Sequence, residues 1–219
     1  LAEGYSRHDL VQADPAAWTA WLVSRPDLAG APHLDGWAKA GRPLIVRRRV
    51  PGESGDAVPL GLPLPPADGK RRIGLALPSA MLSPREAPDL AEAARHAPAA
   101  WQASIGALVA VGRHDAIVPR PFGALLWQAL TGLTYLSATS DLDLLWPCAT
   151  GLPAGLLERI GAVADTAPMS IDGEILLPDG TGVQWRELRD APEDGSVVAK
   201  SLDRVALVPA AALRASIRR

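Results

Sequence analysis

Apolar and polar positions along the chain predict short helices interleaved with short strands. Near the start, Asp14 and Pro15 precede Trp18, Trp21 and Leu22. A capping acid, a proline at the first turn and apolar positions at i, i+3 and i+4 predict a helix with one buried face, its tryptophans serving as core. Residues 43–50 (PLIVRRRV) and 70–77 (KRRIGLAL) predict strands with basic ends, and 52–56 a loop. A Pro- and Ala-rich connection follows over 78–100, with a short helix at 90–96. From Pro98 a longer helix is expected, with Trp101, Ile105 and Leu108 on one face and Gly112 at its end. A short strand over 116–118 then leads into Pro119-Arg120-Pro121.

The pattern is most informative over 122–146. Gly123 opens and Gly132 closes the apolar run from Leu125 to Leu130, which predicts a short helix. In Ser140-Asp141-Leu142-Asp143-Leu144-Leu145-Trp146 acids alternate with leucines, which predicts a strand. Both carboxylates leave one face of such a strand, roughly 6.5 Å apart at Cα. A helix start beside two acids suits a metal-bound phosphate, amides taking the anion and carboxylates taking Mg²⁺. The same spacing also fits the solvated face of an edge strand. Downstream, 153–165 predicts a helix with Leu156, Leu157, Ile160 and Val163 inward. A hairpin is expected from 169–177 and 182–188 around Pro178-Asp179-Gly180. Strands at 196–200 and 204–208 and a helix from Pro209 complete the chain. The implied fold is α+β: a small mixed sheet with helices on one side over 81–219, and a smaller N-terminal α+β lobe over 1–80.

Composition narrows the function classes. With 219 residues, 48% of them apolar, the chain can bury a sizeable core in one large domain or two small ones. A net charge of −2 argues against bulk nucleic-acid binding. A small phosphorylated substrate needs only a local basic patch, and Arg47, Arg48, Arg49, Lys70, Arg71 and Arg72 are the densest positive charge. No window is apolar over the length a membrane span needs, and no charged-then-apolar leader opens the sequence. The single Cys148 allows no intrachain disulfide and fits a reducing, cytoplasmic setting.

A Gly turn and helix followed by an Asp-x-Asp strand resembles the nucleotidyltransferase superfamily signature. Further words match in order: Arg7-His8-Asp9-Leu10, Gly61-Leu62-Pro63-Leu64-Pro65, Trp127-Gln128-Ala129-Leu130-Thr131-Gly132-Leu133, Tyr135-Leu136, Ser140-Asp141-Leu142-Asp143-Leu144-Leu145, Asp172-Gly173-Glu174, Leu177-Pro178-Asp179-Gly180 and Trp185-Arg186-Glu187-Leu188. Together they resemble the phosphoribosyl-dephospho-CoA transferase family, the holo-acyl-carrier-protein synthases of malonate decarboxylase. The resemblance implies transfer from 2′-(5″-triphosphoribosyl)-3′-dephospho-CoA to a serine of the malonate decarboxylase acyl carrier protein, with release of pyrophosphate. It implies Asp141 and Asp143 as Mg²⁺ ligands and a third carboxylate from a neighbouring strand: Asp172, Glu174 or Glu187. Asp172 and Glu174 share a strand face by parity, and Asp172, which heads the strand after the helix, is the favoured choice. Gly123, Ala124 and Ser140 would meet phosphate oxygens, and Lys200, Arg47 and Arg48 would neutralise them. Ala124 departs from the signature, which usually has Ser there; the amide remains and the hydroxyl is gone. Other nucleotidyltransferases, such as the citrate lyase-type synthase, share the acid pair. A catalytically degenerate module that binds the CoA derivative or carrier protein is the alternative from another class.

Overall fold

Strand β1, Leu10–Ala13, runs directly into helix α1, Pro15–Val23, in a computed structural model that describes residues 4–215. Asp14 Oδ1 accepts from Ala16 N and Ala17 N at 2.9 Å each, the cap its sequence predicts. Trp18 is buried as expected, its indole N–H donating to Leu34 O at 2.8 Å. Strands β2 (Leu44–Val46), β3 (Ala57–Pro63), β4 (Arg72–Pro78) and β5 (Leu82–Arg85) join β1 in a sheet of order β4-β3-β2-β1-β5, every pairing antiparallel. Arg7-His8-Asp9 builds the entry to this sheet: His8 N donates to Val46 O, and Asp9 Oδ2 accepts from Ser6 N.

Three expectations change here. The strand over 43–50 shrinks to β2: one further rung follows, Arg47 N donating to Pro59 O at 3.0 Å, and beyond it side chains of Arg49 and Glu53 hold the chain. Arg47 forks onto the Glu53 carboxylate and donates to Leu60 O at 3.0 Å. Strands β3 and β5 were hidden by Pro59, Gly61, Pro63 and Pro84, which read locally as breakers. Because β5 pairs with β1 along four residues, the sheet passes the expected boundary at residue 80. The first unit runs to Ala87 and includes Leu130–Thr134; the second comprises Pro88–Ala129 and the chain from Tyr135 on.

In the second unit Asp89 and Glu92 form a reciprocal cap on α2, Leu90–Ala93. Helix α3 spans Gln102–His114 with Ile105 and Leu108 buried. It does not end at Gly112, which lies inside it because Ile117 O and Pro119 Cδ would stand 2.6 Å from a Cβ there. Nor is 116–118 a strand. Ala116 takes φ 54° and Ile117 N bonds back to Gly112 O, so the strand starts later, as β6, Arg120–Phe122. Helix α4, Gly123–Thr131, strand β7, Leu142–Pro147, and helix α5, Leu156–Ala164, fall where the pattern puts them. Strand β8, Ile171–Leu176, and β9, Gly182–Gln184, make the hairpin, but its second arm stops early. There Gln184 Oε1 accepts from Glu187 N at 2.6 Å and starts helix α6, Trp185–Asp190, which buries Trp185 and Leu188. Strands β10 (Ser196–Lys200) and β11 (Val205–Pro209) and helix α7 (Ala210–Ala215) follow.

These strands form a second sheet of order β11-β10-β9-β8-β7-β6, in which only β7 and β8 are parallel. The crossover between them is α5, as parallel neighbours require. Leu142, Leu144, Trp146, Ile171, Ile175, Val183, Val197 and Ala199 share one core cluster with α3, α5 and α6 residues, so helices cover that face. The architecture is α+β, as expected. By strand parity Asp143 and Asp172 belong to the opposite face. No helix among the described residues is long and apolar enough to cross a membrane.

Bonding to Arg47 holds the Glu53 carboxyl below its ordinary range, and the amide of Val50 acts in the same direction. A depressed folded pKa contributes stability above the unfolded value of 4.5, and that contribution is lost as pH falls through the folded one. Glu53→Gln should therefore lower stability at pH 7 by up to about 1 kcal/mol. In urea unfolding the gap should close in strong acid; an equal gap at both pH values contradicts the pairing.

Candidate metal and phosphate site

Strand register brings the acids together. Parallel pairing sets Asp143 of β7 opposite Asp172 of β8, and antiparallel pairing sets Phe122 of β6 opposite Asp143 on the other side. Asp141 immediately precedes β7. One carboxylate oxygen each from Asp141, Asp143 and Asp172 lies within 4.8 Å of the other two. Asp141 is exposed and the other two are half-buried, so the cluster opens to solvent.

Each carboxylate is positioned by its neighbours. Asp172 Oδ1 accepts from Gly173 N and from Gln184 Nε2, both at 2.7 Å. Both bonds fall on Oδ1, so Oδ2 carries neither. Gly173 takes φ 145°, and a Cβ there would collide with Leu144 O of the parallel neighbour. Asp143 lies against the start of α4: Gly123 has φ 69°, and a Cβ on it would collide with Asp143 Oδ2. The glycine thus opens the helix and makes room for the acid. A carboxylate at a helix N-terminus is favoured by the free amides and the dipole there.

Asp141 is delivered by a loop. Gln128 Oε1 accepts from Tyr135 N and Leu136 N at 3.1 Å each, while Gln128 Nε2 donates to His96 O at 2.8 Å. Ser140 closes the following turn: its hydroxyl accepts from Ser137 N at 2.9 Å, and its amide donates to Ser137 O. Ser140, expected to bind substrate, thus also forms the turn that leads into Asp141. Ala124 lies in the first turn of α4 and offers its amide.

The other two third-carboxylate candidates lie elsewhere. Glu174 is only 8% exposed, with Lys200 Nζ at 3.8 Å. Lys200 is thus engaged at strand β10 by a carboxylate of its own sheet. Glu187 projects from α6 and is exposed. Arg47 and Arg48 belong to the first unit, where Arg47 is committed to Glu53 and to backbone carbonyls, and Arg48 is exposed. Gln184 escaped the sequence reading. Its spacing to Glu187, three residues, is a cap signal, but its bond to Asp172 follows from cross-strand register, which no local pattern carries.

The donor set fits a hard divalent cation. All three groups are anionic oxygens, the ligands Mg²⁺ prefers, and their mutual repulsion favours a cation among them. Beside it, the first amides of α4 suit a phosphate.

Known proteins match the chain along most of its length. Residues 89–211 match the family described as "Phosphoribosyl-dephospho-CoA transferase MdcG C-terminal domain", and residues 6–88 match its N-terminal domain. A protein of Bradyrhizobium diazoefficiens named phosphoribosyl-dephospho-CoA transferase is 37% identical over 204 residues, 92% of this chain and 89% of that protein. Proteins of the same name from Xanthomonas campestris pv. campestris and Xanthomonas axonopodis pv. citri are 41% and 40% identical, covering 83% and 94% of this chain and 85% and 95% of their own lengths. No solved structure matches significantly.

Gly123 gives a direct test of the packing around Asp143. Gly123→Ala should lower Mn²⁺ affinity by about tenfold or more, since the methyl displaces the carboxylate. Gly132→Ala, at the far end of the same helix with open space around it, strains only the backbone and should leave Mn²⁺ affinity unchanged. Equal effects of the two on calorimetric Mn²⁺ titration would contradict the placement of Asp143.

Proposed function

This chain belongs to the phosphoribosyl-dephospho-CoA transferase family, and from that premise we propose the reaction its acidic cluster performs. The chain is a transferase. Its donor is 2′-(5″-triphosphoribosyl)-3′-dephospho-CoA, and its acceptor is a serine hydroxyl of the malonate decarboxylase acyl carrier protein. The observation that supports this most is the convergence of Asp141, Asp143 and Asp172 on one point. These residues would hold Mg²⁺, which when bound offsets the negative charge of the triphosphate and of the leaving group.

The chain's own groups do the rest. Amides at the start of α4 receive phosphate oxygens and fix the α-phosphorus near Asp143. Asp172, turned by Gly173 N and Gln184 Nε2, keeps Oδ2 toward the incoming hydroxyl and accepts its proton. The serine oxygen bonds to the α-phosphorus, the bond to the β-phosphate oxygen breaks, and pyrophosphate leaves with its electron pair. The product is a phosphodiester-linked prosthetic group, and Asp172 returns the proton to solvent. Ala124 removes one hydroxyl donor to a charged phosphate, about 1.5–3 kcal/mol, which slows or weakens without abolishing. A cytoplasmic setting belongs to this reading, in keeping with the lone buried thiol of Cys148.

Mass spectrometry of apo carrier protein, incubated with donor and Mg²⁺, should show addition of the phosphoribosyl-dephospho-CoA group, blocked by EDTA. Asp143→Asn and Asp172→Asn should fold and lose transfer by about 10³-fold or more. Glu187→Gln should stay near the parent. Near-parental transfer by folded Asp143→Asn, or transfer that ignores EDTA, contradicts the metal role.

A further inference from the structure

Arg120 lies on the face of the second sheet that carries the acids. Its strand, β6, alternates half-buried Arg120, buried Pro121 and half-buried Phe122, so Arg120 shares a face with Phe122. Phe122 is opposite Asp143, and Arg120 is opposite Leu145, which in turn is opposite Glu174. Two rows therefore run across the sheet: Phe122, Asp143 and Asp172 in one, Arg120, Leu145 and Glu174 in the next. Arg120 is the diagonal neighbour of Asp143, about 7–8 Å away at Cα, a span its long side chain covers.

Arg120 Nε is buried and has no hydrogen-bond partner, and the guanidinium forms no hydrogen bond or ion pair with another described residue. A partly buried guanidinium always carries its charge and five donors, and leaving them unmatched is costly. Lys200, the other cation of this face, stands instead against Glu174.

We propose that Arg120 is the receptor for the two phosphates that leave as pyrophosphate, which it grips while the α-phosphorus sits at Asp141, Asp143 and Asp172. This rests on the transferase reading and adds to it the group that holds the leaving side of the donor. Negative charge grows on the leaving pyrophosphate as its bond to the α-phosphorus breaks. A planar fork of donors aimed there stabilises that charge and matches phosphate oxygens in pairs. The unmatched guanidinium of the free protein is then a site waiting for an anion, its desolvation already met on folding.

The donor also carries the diphosphate of its CoA half, so the experiment separates the two sources. Transfer by Arg120→Met and Arg120→Lys is measured with inorganic pyrophosphate and with dephospho-CoA as competing inhibitors, alongside calorimetric binding of pyrophosphate in Mg²⁺ and thermal melts. Arg120→Met should weaken pyrophosphate about 10- to 100-fold, in line with losing charge-assisted bonds, and reduce kcat/KM for the donor. The inhibition constant of dephospho-CoA and the KM for carrier protein should not move. Arg120→Lys should fall between, since it keeps the charge without the fork. The Tm of Arg120→Met should hold or rise, because an unmatched buried charge has been removed; a structural arginine would lower it. Unchanged pyrophosphate affinity, or a loss that falls on dephospho-CoA, overturns the proposal. Arg120-dependent pyrophosphate binding in a protein that modifies no carrier would uphold Arg120 and refute the acceptor.

Discussion

Everything at the site depends on one pairing, the parallel ladder between β7 and β8. Parallel strands place equivalent ends side by side, so Asp143 and Asp172 meet at the same edge of the sheet. An antiparallel arrangement of the same two strands would send one acid to the far end. That ladder needs a crossover, and α5 supplies it while burying Leu156, Leu157 and Ile160 against the sheet. The core that stabilises the unit is thus also what brings three like charges within reach of one another. Folding alone gains nothing from that proximity, since carboxylates this close repel. A cation would turn the same geometry favourable.

Two glycines and one glutamine refine what the ladder begins. Gly123 lets Asp143 lie against the start of α4, which puts acid and amides at one place. Gly173 lets β8 approach Leu144 while its amide turns Asp172. Gln184 ties Asp172 to the cap of α6, so a carboxylate of the acidic cluster and a structural helix share a side chain. Removing any of these would leave the acids present but misdirected, a loss that a census of site residues would not detect.

Much of this was legible in the chain. Period-two alternation revealed the acid strand, paired glycines revealed α4, and Asp14-Pro15 revealed α1. The choice of Asp172 over Glu174 and Glu187 followed from its position at the head of β8, and the register sets it opposite Asp143. What escaped was non-local. Strands β3 and β5 hide behind prolines that nevertheless stand in register with their neighbours. Residues 185–188 look extended until Gln184 caps them. Arg47 looked like a phosphate ligand because its partner, Glu53, folds back through a loop that no spacing announces. Arg120 stands beside two prolines in a segment without periodicity, and only the register of β6 against β7 shows which face it shares.

Asp141, Asp143 and Asp172 are proposed to form one cation site. Crystals soaked in Mn²⁺ and measured near the manganese edge test it most directly. The account predicts an anomalous peak within coordinating distance, about 2.0–2.3 Å, of one oxygen from each of the three aspartates. A peak that Glu174 or Glu187 shares in place of Asp172, or no peak at the acidic cluster at saturating Mn²⁺, would contradict it.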